Sequence, residues 1–134
     1  MSAEKAIFAM MKAHAPLIAV VPSSRIFPSV IPLNTTLPAI AYSLISEVEE
    51  TAIGMTALKR RARIQVTIAV SGTSSSAYGS AKSIRALVEA ACNHKRGTFN
   101  GVAVDSCIKD VVGPDLRDDE ASITYQSVDF RIAY

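Results

Sequence analysis

The run from Glu120 to Tyr134 constrains this chain most, because its side chains alternate along almost the whole length. Ser122, Thr124 and Gln126 interleave with Ile123 and Tyr125; Val128, Phe130, Ile132 and Tyr134 then interleave with Asp129 and Arg131. A two-residue period is that of a strand, whose successive side chains point to opposite faces. The apolar positions switch from odd to even numbers between Tyr125 and Val128. That switch predicts one extra residue, a β-bulge near Gln126 or Ser127. Chain ends fray unless something holds them, so Phe130, Ile132 and Tyr134 are expected against the core or against a neighbouring subunit. The pattern points to a protein of assemblies.

Length and composition narrow the class. At 134 residues the chain is expected to form one domain, residues 1–134, burying roughly two thirds of the surface of its unfolded state. Charged residues make up 19%, below the roughly 25% usual for soluble domains, so part of the surface is expected to be covered by other copies. A net charge of +2 is too small for a domain that tracks phosphates. Two cysteines and no signal peptide fit synthesis in a reducing cytoplasm. The first apolar run is interrupted by Lys12, His14 and Pro16, so no membrane partner is expected.

Ser2 is placed to cap a first helix whose Ala3, Ile7, Phe8 and Met11 share a face, and Pro16 ends or breaks it. From Leu17 to Pro38 the chain is proline-rich and without period, which reads as a helical turn, a brief strand at Arg25 to Phe27 and an extended loop. Ile40, Tyr42 and Leu44 mark a strand from Ala39 to Glu47; Ile64, Val66, Ile68 and Val70 mark another from Arg61 to Ser71. The two are read as a hairpin with a long projecting connection, Val48 to Arg60. A serine at 74 or 75 is placed to cap the main helix, expected to run to about Lys95 with Ala77, Ala81, Ile84, Leu87, Val88, Ala91 and Cys92 on one stripe. Asn100-Gly101 turns the chain into a strand from Val102 to about Val112, with Val104 and Ile108 inward. Gly113 to Asp119 reads as a charged loop. The fold class is α+β: a mainly antiparallel sheet, two principal helices packed on it, and a long protruding hairpin loop.

Reactive side chains give no catalytic set. Cys92 and His94 stand two apart on the helix, about 200° around its axis, so they cannot close on one ion. A zinc site would have to recruit Cys107 and His14 without any of the usual ligand spacings. The two cysteines read as small core residues, and His14 as a solvated cap at the end of the first helix. Gly72 to Ser76 lies between a strand and a helix, where amides can cradle an anion, but it lacks the P-loop lysine and the GxGxxG glycines. Asp115, Asp118, Asp119 and Glu120 lack calcium-loop spacing. No catalytic, cofactor-binding or metal-ligating residue is assigned.

The remaining charge pattern surrounds the hairpin. Glu47, Glu49 and Glu50 lead into its loop, and Lys59, Arg60, Arg61 and Arg63 lead out. Cross-strand pairing within one hairpin is the simpler reading, at about 1 kcal/mol or less per exposed pair. Contacts between subunits, or with DNA passing nearby, are the other. Glu47, Glu49, Glu50, Lys59, Arg60 and Arg61 are the candidate interface residues. A small nucleic-acid-binding module using the Lys59 to Arg63 cluster is a rival function, although only Tyr42, Tyr78 and Tyr134 offer aromatics for base stacking. An enzyme with an unrecognised site is a second rival.

The sequence also resembles a known family. The order Arg25-Ile26-Phe27-Pro28, Leu37-Pro38-Ala39-Ile40-Ala41-Tyr42, Ala62-Arg63-Ile64-Gln65-Val66-Thr67-Ile68, an alanine-rich helix, the turn at Gly97 to Val102 and the ending Ser127-Val128-Asp129-Phe130-Arg131-Ile132-Ala133-Tyr134 resembles the tail completion, or tail-to-head joining, family of tailed phages. One departure is Ala69-Val70-Ser71, where the family often carries an aromatic. The resemblance spans about Phe8 to Tyr134. It implies a structural virion protein, related in fold to tail terminators, that forms a six-membered ring at the head-proximal end of the tail. The implied partners are further copies of the chain, the tail tube protein and the head connector, with DNA close by in the lumen; no cofactor or catalytic residue is implied.

Overall fold

The computed structural model describes residues 2–50, 54 and 59–134. In chain order it gives α1 (Ser2–Lys12), α2 (Ala15–Ile18), a 3-10 turn (Ser23–Arg25), β1 (Ile26–Pro28), β2 (Ala39–Glu50), β3 (Lys59–Ser71), α3 (Ser75–Cys92), β4 (Lys95–Phe99), β5 (Val102–Val112), β6 (Leu116–Asp118) and β7 (Ile123–Ala133). The strands form one sheet in the order β1-β2-β3-β7-β5-β4, with β6 also on β7. Every pairing is antiparallel except β1 on β2. The α+β class is as read from the sequence.

α3 lays Ala77, Ala81, Ile84, Val88, Ala91 and Cys92 into the core, with Leu87 packed at its margin. Ala3, Ala6, Ile7, Met10 and Met11 of α1 join them. Against these helices the sheet presents Ala62, Ile64, Val66 and Ile68 of β3 with Val128, Phe130 and Ile132 of β7. Ser74 caps α3, its hydroxyl accepting from the Ala77 amide at 3.3 Å. The helix stops at Cys92 and not at Lys95, because His94 takes the left-handed conformation at φ 58. Lys95 therefore opens β4, a strand absent from the sequence reading. β4 and β5 are joined by a two-residue turn in which Asn100 and Gly101 both have positive φ, 49 and 79, the geometry that Asn-Gly favours. At the other end, α1 closes at Lys12 and Pro16 sits in the first turn of α2; His14 precedes α2 and makes no side-chain capping bond.

β7 does not bulge. It pairs with β3 in unbroken register from Arg61↔Ala133 to Ser71↔Ile123, so one parity holds throughout. Thr124 and Gln126 face inward alongside Val128, Phe130 and Ile132, and both are buried. The change in apolar parity came from polar residues standing in core positions, not from a shifted backbone. The missing irregularities lie elsewhere. β2 carries one at Ile45, between the pairs Leu44↔Ile64 and Ser46↔Arg63. β5 has an extra residue against β4, between Val104 and Cys107, and another against β7, between Lys109 and Val112. The first explains why Ile108, expected inward, is 43% exposed, while Cys107 is buried as read from the sequence.

Two loops were misread. The stem of the β2–β3 hairpin continues to Glu50↔Lys59, so Val48 to Glu50 and Lys59 to Arg60 are strand, not connection. Gly54 is a turn residue at φ 86; the rest of the projecting loop lies outside the described residues. The segment Gly113 to Asp119 contains β6, which continues along the edge of β7 that β5 leaves. The chain crosses over at Gly113, whose amide donates to the Ser127 carbonyl at 3.0 Å; a Cβ there would stand 2.0 Å from the Ser127 hydroxyl. Tyr125 pairs with Ala69, so the aromatic next to Ala69-Val70-Ser71 comes from the neighbouring strand.

Candidate assembly interface

The hairpin stem and the end of β7 form one charged platform. Residues paired across strands share a face, so Glu47, Glu49, Arg60 and Tyr134 lie on the helix side of the sheet, while Val48, Glu50, Lys59, Arg61 and Arg63 lie on the other. Arg60 Nε donates to Glu49 Oε1 at 2.9 Å, and Arg61 Nη2 stands 3.0 Å from Glu50 Oε1. The Tyr134 hydroxyl donates to Glu47 Oε1. Lys59 reaches across to Asp105 of β5 at 2.9 Å. All six candidate residues are thus brought to one end of the sheet, each with a partner in its own chain. The three ion pairs join exposed side chains, where a pair adds about 1 kcal/mol or less.

Below the platform, on the face without helices, Arg63 and Asp129 form the shortest ion pair among the described residues. Arg63 donates from Nε at 2.8 Å and Nη2 at 2.6 Å to one Asp129 oxygen, and the Asp129 side chain is only 8% exposed. Asp110 of β5 receives Arg131 at 3.4 Å and lies 3.8 Å from Arg63. Val48, Ile108 and Arg61 complete a shallow groove around this cluster. Within the Lys59 to Arg63 run, all four cations have a carboxylate of the same chain within 4 Å. The charge that a nucleic-acid backbone would recognise is balanced locally.

A second polar cluster ties α3 to β7. Gln126, fully buried, accepts from Arg85 Nη1 at 2.8 Å and donates to Asp115 Oδ1 at 2.5 Å. Tyr78 donates its hydroxyl to the other Asp115 oxygen at 2.9 Å. These bonds, Gln126 first and Tyr78 second, hold the Asp115 carboxyl below its ordinary value. Asp115 lines the same cleft as Thr73, Ser74 and Ser75 at the start of α3. A carboxylate there opposes an anion, and the serines serve as cap and hinge. Sequence reasoning missed this cluster; the only signal was polar Thr124 and Gln126 in register with Val128 and Phe130.

Cys92 and Cys107 are buried free thiols. Burial pushes both up, Cys107 to about 12, and Cys107 adds to the shift of Cys92. Among the described residues no group of three or more His, Cys, Asp or Glu side chains is arranged to hold a metal ion. No described helix is long and apolar enough to cross a membrane.

The sheet also ends in two unlike edges. β1 covers β2 only from Ile40 to Tyr42, which leaves Ser43 to Glu50, paired with β3 on one side, without a strand on the other side among the described residues. Leu44, Ile45 and Val48 are exposed along it, at 42%, 51% and 61%. The opposite edge is β4. A family model described as "Tail completion protein gp17" matches residues 5–134. The chain belongs to that family. Family membership makes it a structural protein of the phage tail. Among solved structures, a chain from the virion of a native gene transfer agent particle superposes with a TM-score of 0.68 at 15% identity, over 96% of this chain and 90% of that one. Another solved chain gives a TM-score of 0.56 at 13% identity, over 91% and 86%. At such identities the likeness is one of fold. No curated protein matches this tail completion chain.

Proposed function

We propose that this tail completion protein closes into a six-membered ring on the head-proximal end of the tail tube, where it ends tube growth and offers the surface that joins the head connector. The observation that carries this reading is the pair of unlike open edges on one sheet in a tail completion chain. Two different complementary patches make head-to-tail contacts, and such contacts give a closed ring when the rotation closes. One ring face then matches the last ring of the tube. The other presents surface that tube subunits do not bind, so polymerisation stops and docking begins.

Glu47, Glu49, Glu50, Lys59, Arg60 and Arg61 supply contact side chains in this reading, because the stem they occupy carries the projecting loop. Function comes from shape and charge, with no chemical step. Electron microscopy of particles made without the protein is the test. Tubes of irregular length that remain detached from heads are expected; tubes of normal length on attached heads would sink the reading.

A further inference from the structure

The registers of the sheet connect its two open edges. Starting from Glu47 on β2, the row runs through Ala62 on β3, Ile132 on β7 and Cys107 on β5 to Lys95 on β4. One row across the sheet therefore begins at a carboxylate and ends at an ammonium. Both lie on the helix side, since paired residues share a face. On the opposite face, Glu50 belongs to the β2 edge and Arg96 to β4. Neither Lys95 nor Arg96 has an acidic partner among the described residues. On the acidic side, the contacts to Tyr134, Arg60 and Arg61 each use Oε1 of Glu47, Glu49 and Glu50. A carboxylate accepts at both oxygens, so each of the three has capacity for a further cation.

The outlines match as well. At the level of Glu47, β2 is the outermost strand on its side, and β4 stands outermost on the other. Nearer Tyr42, β1 is added on the first side, while β4 no longer covers β5 beyond Cys107. Between the Glu47 and Tyr42 levels the sheet so loses a strand on one side and gains one on the other. A second copy displaced sideways fits the step of the first.

We propose that copies of this chain join edge to edge, with β4 of one copy against the Ser43 to Glu50 edge of β2 of the next, Lys95 meeting Glu47 and Glu49 and Arg96 meeting Glu50. The occupant of the open β2 edge is a second copy, chosen by the opposite charges at the two ends of the Glu47–Lys95 row and by the stepped outline. Backbone hydrogen bonds along the edge supply adhesion, and Leu44, Ile45 and Val48 supply apolar contact. The inference rests on the ring reading above and names the surfaces that close the ring.

Cysteine pairing tests it. The full chain carrying Val48→Cys and Arg96→Cys is incubated with tail tubes that lack the protein, mildly oxidised and separated without reductant. A ladder of covalent multimers beyond the dimer is expected from the double variant, and none from either single variant. Dimers from Val48→Cys alone would mean that two β2 edges meet about a two-fold axis, which overturns the proposal. A ring seen on tube ends by electron microscopy without a ladder would overturn these edges and leave the ring reading standing; absence of any ring would overturn both. In a second experiment, Lys95→Glu with Arg96→Glu should raise the concentration needed for assembly at least tenfold with an unchanged circular dichroism spectrum. Unchanged assembly would also defeat the proposal.

Discussion

Tyr134 and Arg60 exchange both backbone hydrogen bonds: the Tyr134 amide donates to the Arg60 carbonyl at 2.9 Å, and the Arg60 amide to the Tyr134 carbonyl at 2.8 Å. The end of the chain is thus tied to the start of β3, just where the projecting loop returns. Tyr134→Pro removes one donor from this pair. Hydrogen exchange at the Arg60 amide should then accelerate roughly fivefold, as expected for a backbone bond of about 1 kcal/mol, while amides at the centre of β3 keep their protection.

The Arg63–Asp129 pair links two adjacent strands beneath the platform, with Asp129 almost buried and Arg63 partly open to water. Asp129→Asn should lower stability by about 2 kcal/mol, after allowance for screening of the arginine, as read from urea unfolding. Lys59→Ala, which removes a pair exposed on both sides, should change it by less than about 1 kcal/mol.

Gln126, itself buried, joins the partly buried Arg85 to the solvent-exposed Asp115. Gln126→Leu keeps the volume nearly constant but strands Arg85, at a cost of about 1–3 kcal/mol and a lowered Tm. Asp115 adds a pH dependence of known sign. A carboxyl held below its ordinary value of 3.8 favours the folded state above the unfolded-state pKa. That stabilisation disappears as pH falls through the lower folded-state value. Asp115→Asn should therefore flatten the acid limb of the stability curve below about pH 4 and leave its neutral-to-alkaline shape unchanged, measured by thermal unfolding across pH.

Cys92 and Cys107 are neutral thiols at pH 8, because burial opposes the thiolate in both. Neither should react with iodoacetamide in the native protein. Both should react within minutes in denaturant, and rapid labelling of the native chain would contradict the buried geometry.

Much of the fold was legible because local chemistry and tertiary packing agree. β3 alternates apolar residues that face α3, α3 carries one apolar stripe, and Asn100-Gly101 has the residues its turn requires. β7 was legible as a strand but not in its parity. Thr124 and Gln126 look like solvent-facing residues until Gly72, Arg85 and Asp115 are brought against them. β4 was hidden because Lys95 and Arg96, which with His94 read as a helix stop, are also the first residues of the strand. For the candidate site, the acidic and basic stems were readable as a pair; the reach of Lys59 to Asp105 and of Arg63 to Asp129 was not.

The sequence by itself determined the strands and helices whose side-chain period matches their burial, and the charge of the hairpin stem. Only the tertiary structure decided which residues share a row, and hence that Glu47 and Lys95 stand at opposite ends of one. Period is a local property, fixed by steric preference along a few residues. Register across several strands depends on bulges at Ile45 and within β5, and a single extra residue there reassigns every side chain beyond it.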